Sequence, residues 1–245
     1  MVSLVDRIRQ NIETTRNEID RAAQSVGRSG PDVRLVIVTK THPIEVVRAV
    51  VEAGGRLLGE NYPEETVPKI KALGSVPGVE WHMIGHVQSR KSGIVAENFQ
   101  MLHSLDSLRL AERLDRQVSE QHSEKRFPVL LEFNAAGEES KFGWYVPEES
   151  SWDKLLPDLE RVFGLAHLKV CGLMTMPPLF NDPQLSRPFF VKIRKLRDFV
   201  QKQFPQSDLC DLSMGTSIDY PIAIQEGATL VRVGQAILGA RPPKA

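Results

Sequence analysis

Short apolar runs alternate with longer amphipathic stretches along this 245-residue chain. The clearest run, Leu35-Val36-Ile37-Val38-Thr39, is short and rich in β-branched residues, which predicts a buried strand. Seven more runs of this kind fall at 56–60, 81–86, 101–105, 128–134, 168–175, 209–214 and 229–234. The stretches between them have the period of a helix. Leu4, Ile8, Ile12, Thr15, Ile19, Ala22 and Val26 recur near every 3.6 residues behind Ser3, a cap with Asp6 three positions on, which predicts a helix over 3–26. Ile44, Val47, Val50 and Val51 follow Pro43 and stop at Gly54-Gly55. Asp106 stands as a cap before Leu110, Leu114 and Val118; Phe189, Ile193, Leu196 and Phe199 form a stripe within 184–204; Ser217 is expected to cap a short helix ending at Gly227. Between Gly143 and Gly164 the pattern is interrupted by Pro157, and the element boundaries there are not defined.

Eight strands separated by helices, without tandem hairpin signals, call for parallel strands joined by right-handed crossovers. A closed (β/α)8 barrel of the TIM type and a doubly wound open sheet both satisfy this. The count of eight, and the lack of a glycine-rich phosphate loop after the first strand, favour the α/β barrel. Residues 235–245 are too few for a full eighth helix, so the additional N-terminal helix is expected to fill that place in the outer ring. One domain spanning 1–245 is expected.

Lysine and arginine balance aspartate and glutamate, 31 against 31, and no basic run of five appears, which argues against nucleic acid as a partner. No stretch of about 18 apolar residues occurs and the N-terminus is charged early, so a cytoplasmic chain without membrane attachment is expected. Cys171 and Cys210 stand alone and read as small core residues.

The chemistry-bearing residues cluster at strand ends. Alternation puts Arg34, Val36, Val38 and Lys40 on one face, with Lys40 last. An amine beside apolar neighbours is poorly solvated and more often unprotonated, hence able to form a Schiff base; taken alone, though, a strand-end lysine is more simply a snorkelling cation. The other strand ends supply Glu60, Asn61 and Tyr62; His82 and His86; His103 and Asp106; Glu132 and Asn134; Thr175; Ser213, Met214 and Gly215; and Arg232 with Gly234. In a barrel these ends form one mouth, where active sites of the fold lie. His82 and His86, read as one strand, stand roughly 13 Å apart, too far to share a metal ion. Ser213 and Gly234 instead suit a phosphate at the last two strands. A lysine on strand one and a phosphate cradle on the last two match the aldehyde and phosphate of pyridoxal 5'-phosphate. Arg232 facing the pyridine nitrogen would then keep that nitrogen unprotonated and weaken the electron sink.

The segments LVIVTKTHP, LLGENYPEE, WHMIGHVQSRK, LHSLDS, GEESKFG, GLMTM and LSMGTSIDYPIAIQEGATLVRVGQAILGAR resemble, as an ordered set from Arg34 to Arg241, the YggS/PROSC family of pyridoxal phosphate homeostasis proteins. The resemblance implies a barrel like the N-terminal domain of bacterial alanine racemase, with the cofactor on Lys40. It also implies that Ser213, Gly234 and Gln235 lie near the phosphate, that Arg232 faces the pyridine nitrogen, and that Asn61, His82 and Met214 line the pocket. Gln235 stands where threonine is common, Thr39 and His42 where serine and lysine are frequent, and Pro63 follows Tyr62.

The family is associated with cofactor supply rather than an established reaction. The related racemase takes a second acid/base from a tyrosine of a partner's β domain. This sequence runs to Ala245 with only Tyr62, Tyr145 and Tyr220 as tyrosines, so a monomeric carrier or regulator without robust catalysis is expected. The alternatives are a weak amino-acid racemase or transaminase, with Tyr62 or His82 as improvised acid, and a barrel for another phosphorylated metabolite. Apoenzymes that use the cofactor would be transient partners. In the loop 137–143, flanked by glycines, Lys141 could offer a second amine for the aldehyde, or the loop is simply solvated.

Overall fold

A computed structural model describes residues 2–121, 124, 126–146 and 148–240; Arg241, the last residue of the resemblance, lies outside the described residues. The apolar runs form β1 (Arg34–Val38), β2 (Leu57–Glu60), β3 (Glu80–Met83), β4 (Met101–Leu105), β5 (Phe127–Asn134), β7 (Leu168–Thr175), β8 (Asp211–Ser213) and β9 (Leu230–Val233). A two-residue strand, β6 (Trp144–Tyr145), is too short to leave a periodic signal. Neighbours run β4-β3-β2-β1-β9-β8-β7-β5, and β4 also pairs with β5, so the ring closes. All pairings are parallel. The chain is therefore a (β/α)8 barrel of the TIM type, and closure satisfies the edges that an open sheet would leave. β6 joins the end of β5 through Phe133↔Trp144 and Asn134↔Tyr145.

The outer elements are α1 (Leu4–Gln24), α2 (Ile44–Glu52), α3 (Pro63–Leu73), α4 (Ser92–Asn98), α5 (Leu108–Gln121), α6 (Leu156–Phe163), α7 (Arg187–Gln203), α8 (Tyr220–Gln225) and α9 (Gln235–Leu238). Ser3 caps α1, its hydroxyl accepting from the Asp6 N–H at 3.0 Å. Ile8, Ile12 and Ile19 of α1 are buried, and the helix packs on α2, α8 and α9. It thus covers the sector that the four-residue α9 cannot, and Asn11 Nδ2 ties the two by donating to the Ile237 carbonyl at 2.8 Å. Burying each isoleucine contributes roughly 1.5–3 kcal/mol. The main core lies between strands and helices, while Val36, Met101, Leu130, Met174 and Leu230 form a separate cluster. These five occupy the barrel interior.

Several local expectations change. The third strand stops at Met83, so His86 lies in the following loop. Ser107, not Asp106, caps α5: its hydroxyl accepts from the Leu110 N–H at 3.3 Å, and Asp106 binds His86 instead. Asp219 precedes α8, and Ser217 is used elsewhere. The fully buried stripe of α7 is Phe190, Ile193, Leu196 and Val200, with Phe189 and Phe199 at its margins. Pro157 sits in the first turn of α6, where its missing N–H costs nothing. Cys210 is exposed, donating to Asp208 Oδ1, and Cys171 is half-buried, so neither is a fully buried core residue.

Candidate functional site

Lys40 follows β1 at the C-terminal mouth of the barrel and lines a cavity of about 270 Å³. Asn61, after β2, and Arg232, at the end of β9, line it too, as do Gly234 and Gln235. Five of the eight residues expected at the site thus converge. The other three lie beneath: His82 is 1% exposed, Ser213 0% and Met214 0%. Their strand positions turn the first two into the barrel interior, where they bind protein groups.

The backbone beside Lys40 is held in an unusual way. Thr41 has φ +66°, a left-handed conformation that a β-branched residue rarely adopts, and its buried hydroxyl has no hydrogen-bond partner. Thr39, just before Lys40, donates from Oγ1 to Glu60 Oε1 at 2.8 Å. Lys69 of α3 donates to the same Glu60 oxygen at 2.8 Å and to the Thr39 carbonyl at 3.2 Å. Burial raises the Glu60 carboxyl above its ordinary value, against the pull of Lys69. The strained turn is therefore clamped by a buried ion pair that reaches it from α3.

At the far rim, the hydroxyl of Ser217 accepts from the N–H groups of Gly234 at 3.2 Å and Ala236 at 3.3 Å. A side chain at Gly234 would approach Val38 to 3.2 Å, so glycine keeps this backbone open. Ser217, with Thr216 and Ile218, lines the Lys40 cavity. Sequence reading placed Ser213 near the phosphate and took Ser217 for a helix cap; in the structure Ser213 binds Arg232, and Asp219 holds the cap position. The available signal was that Ser213, at the end of β8, and Ser217, in the loop that follows it, stand four residues apart ahead of a short helix.

Arg232 is 4% exposed. It donates from Nη1 to Ser213 Oγ at 2.6 Å and from Nη2 to the Thr175 carbonyl at 3.0 Å. Desolvation lowers its pKa to about 10, opposed by Glu132 and Asp219, so the guanidinium stays charged near neutrality. With five N–H donors and two protein partners, it retains donors for the cavity it lines.

A second cavity, about 470 Å³, shares Asn61, Ile84 and Met176 with the first. Its wall includes Glu132, Lys91, Lys141 and Phe142. Phe142 stacks on His86 at 3.6 Å, and His86 Nδ1 meets Asp106 Oδ2 at 2.6 Å. Asn134 folds the overhanging loop, accepting from the Gly137 N–H at 2.8 Å and donating to the Glu138 carbonyl at 2.8 Å. Glu132 Oε2 is buried without a hydrogen-bond partner. Desolvation, helped by Asp106 and opposed by Arg232 and Lys141, pushes its pKa up to about 7. Glu132 stands out through this burial and not through any motif.

The donor set suits pyridoxal 5'-phosphate: a lysine at one wall, a cavity-facing guanidinium, and a glycine-opened rim where the Ser217 hydroxyl, accepting from two backbone N–H groups, keeps its own proton for an anionic oxygen. A guanidinium can donate to a ring acceptor, and a lysine amine can condense with an aldehyde.

Fold and site together define a parallel barrel with a lysine at the end of its first strand. The family model for the alanine racemase N-terminal domain matches residues 5–242. A pyridoxal phosphate homeostasis protein of Vibrio alginolyticus is 38% identical over 96% of this chain and 97% of its own length. One from Synechocystis sp. is 42% identical over 86% of this chain and 93% of its own. Among solved structures, PipY of Synechococcus elongatus, with PLP bound, superposes with a TM-score of 0.79 at 32% identity, covering 95% of this chain and 100% of that one. The alanine racemase of Clostridium difficile shares the fold, at TM-score 0.70 and 15% identity, over 98% of this chain and 60% of that one. The chain belongs to the alanine racemase N-terminal-domain family, among the pyridoxal phosphate homeostasis proteins.

Proposed function

We propose that this chain binds pyridoxal 5'-phosphate as a Schiff base on Lys40 and serves cofactor homeostasis, holding and releasing the cofactor without robust catalysis. The observation that carries this reading is the convergence of Lys40 and Arg232 on one cavity. The names of the relatives and the PLP-bound PipY structure support it.

When bound, the cofactor supplies an electron sink for amine chemistry. The residues here temper it. Arg232 is a buried cation, so a proton on a nitrogen facing it would meet a like charge. The Ser217 hydroxyl, held as acceptor by the N–H groups of Gly234 and Ala236, keeps its own proton for the phosphate end, and Asn61 closes the side shared with the second cavity. Ser213 and His82 act through Arg232 from below, and Met214 is fully buried in the main apolar core. Gln235 contributes at the rim. We assign a single domain working as a cytoplasmic monomer, with apoenzymes as transient acceptors; sedimentation at micromolar concentration checks the monomer.

The purified protein should be yellow and shift reversibly with free cofactor, and a borohydride-reduced adduct should map to Lys40 by mass spectrometry. A protein that stays colourless with excess cofactor overturns the reading. The second reading is a low-activity racemase or transaminase. Glu132, a buried carboxyl raised to about 7 beside the Lys40 cavity, favours it. Turnover of single amino acids, lost in Lys40→Ala, would select it.

A further inference from the structure

Beneath Arg232 a continuous line of polar side chains crosses the barrel interior. Ser213 Oγ lies 2.9 Å from His103 Nδ1. His103 Nε2 lies 2.9 Å from His82 Nδ1, and His82 Nε2 lies 3.2 Å from Glu80 Oε2. The three middle residues are fully or almost fully buried; the Glu80 side chain, at the opposite end, is 51% exposed.

The two ends dictate how the protons are arranged. A guanidinium only donates, so Ser213 accepts from Arg232 and its own proton is free to point at His103 Nδ1. An ionised carboxylate only accepts, and the hydrogen bond from His82 lowers the Glu80 pKa, so this end stays an acceptor. Between an obligate donor and an obligate acceptor, both imidazoles fit as neutral rings protonated on Nε2. Every hydrogen bond then runs one way, from Arg232 to Glu80. A proton on His103 Nδ1 would instead turn Ser213 into a double acceptor, and its own proton would have no partner along the line. Burial beside His82 and Arg232 holds the His103 pKa well below its usual value, in keeping with a neutral ring.

We propose that Glu80, His82 and His103 are positioning residues that fix the proton of Ser213 and thereby the direction in which Arg232 presents its remaining N–H groups to the Lys40 cavity. The part that concerns the cofactor rests on the function proposed above; the proton arrangement does not.

The arrangement is tested first on the unsubstituted, cofactor-free protein, with isotope-labelled imidazole nitrogens. Long-range proton–nitrogen correlations at neutral pH should show His82 and His103 both as the Nε2–H tautomer. A doubly protonated ring, or an Nδ1–H tautomer at either residue, overturns it. Glu80→Ala, at the exposed end, should perturb the ring nitrogens of His103, two hydrogen bonds away, whereas Glu80→Gln, which keeps an acceptor, should restore them; an unchanged His103 spectrum in Glu80→Ala overturns the coupling. The effect on Arg232 is read in pyridoxal 5'-phosphate binding by absorbance titration. His103→Leu should bind about tenfold more weakly, as expected for one lost hydrogen bond. His103→Asn, which can place an acceptor near the Nδ1 position, should recover most of that loss. Equal affinity in folded His103→Leu overturns the positioning role; should that variant not fold, Glu80→Ala against Glu80→Gln in the same titration decides it. Failure of the unsubstituted protein to bind the cofactor would overturn the proposed function and leave the tautomer result standing.

Discussion

Ser217 Oγ accepts from the backbone N–H of Gly234 at 3.2 Å, joining the loop after β8 to the end of β9 at the rim of the Lys40 cavity. Ser217→Ala removes this hydroxyl while leaving the backbone donors in place. Cofactor affinity should fall about tenfold, and competition by inorganic phosphate should weaken in parallel, as for one lost hydrogen bond to an anion. Absorbance titration with and without phosphate measures both.

Glu132 makes stability depend on pH. Its folded-state pKa, about 7, lies above the ordinary 4.5, so its contribution is fully present in acid, below the ordinary value, and is lost as pH rises through about 7. Glu132→Gln keeps the neutral shape. It should flatten that dependence and gain at most about 3 kcal/mol near pH 8 relative to the parent, with little gain near pH 4. Urea unfolding midpoints at the two pH values check this.

Thr41 carries strain next to the proposed cofactor lysine. Thr41→Asn, which tolerates the left-handed region better, should stabilise the fold by about 1 kcal/mol. Urea unfolding of the cofactor-free protein measures the gain. If the strain sets the approach of Lys40, cofactor release should also change.

Ile12 is 2% exposed on α1. Ile12→Ala should cost about 2–4 kcal/mol, because the helix covers a sector of the barrel that α9 cannot. Denaturant unfolding measures the loss. A loss comparable to that at an exposed α1 position, such as Thr14→Ala, would show that α1 is not integral to the outer ring.

The barrel was legible because its strands are buried on both sides, which writes each as a short apolar run, and because the helices between them keep a 3.6 period. Lys40, Arg232 and Gly234 were legible because strand ends in such a barrel share one mouth. Ser217 was misread because a serine before a short helix carries the same local signal whether it caps that helix or reaches another loop. The inward turn of Ser213 was equally hidden: a three-residue strand gives too little alternation to show which side chain faces the interior.

By itself, then, the sequence determined the eight-strand order of elements, the extra N-terminal helix and the cluster of polar strand ends around Lys40. Tertiary structure alone decided the partners. It joined Ser217 to Gly234, left Glu132 Oε2 without a hydrogen bond, and strung Glu80, His82, His103 and Ser213 beneath Arg232. The physical reason is range. Periodicity and capping act within a few residues, whereas His103 and Ser213 meet across 110 positions of chain, brought together only when the ring closes.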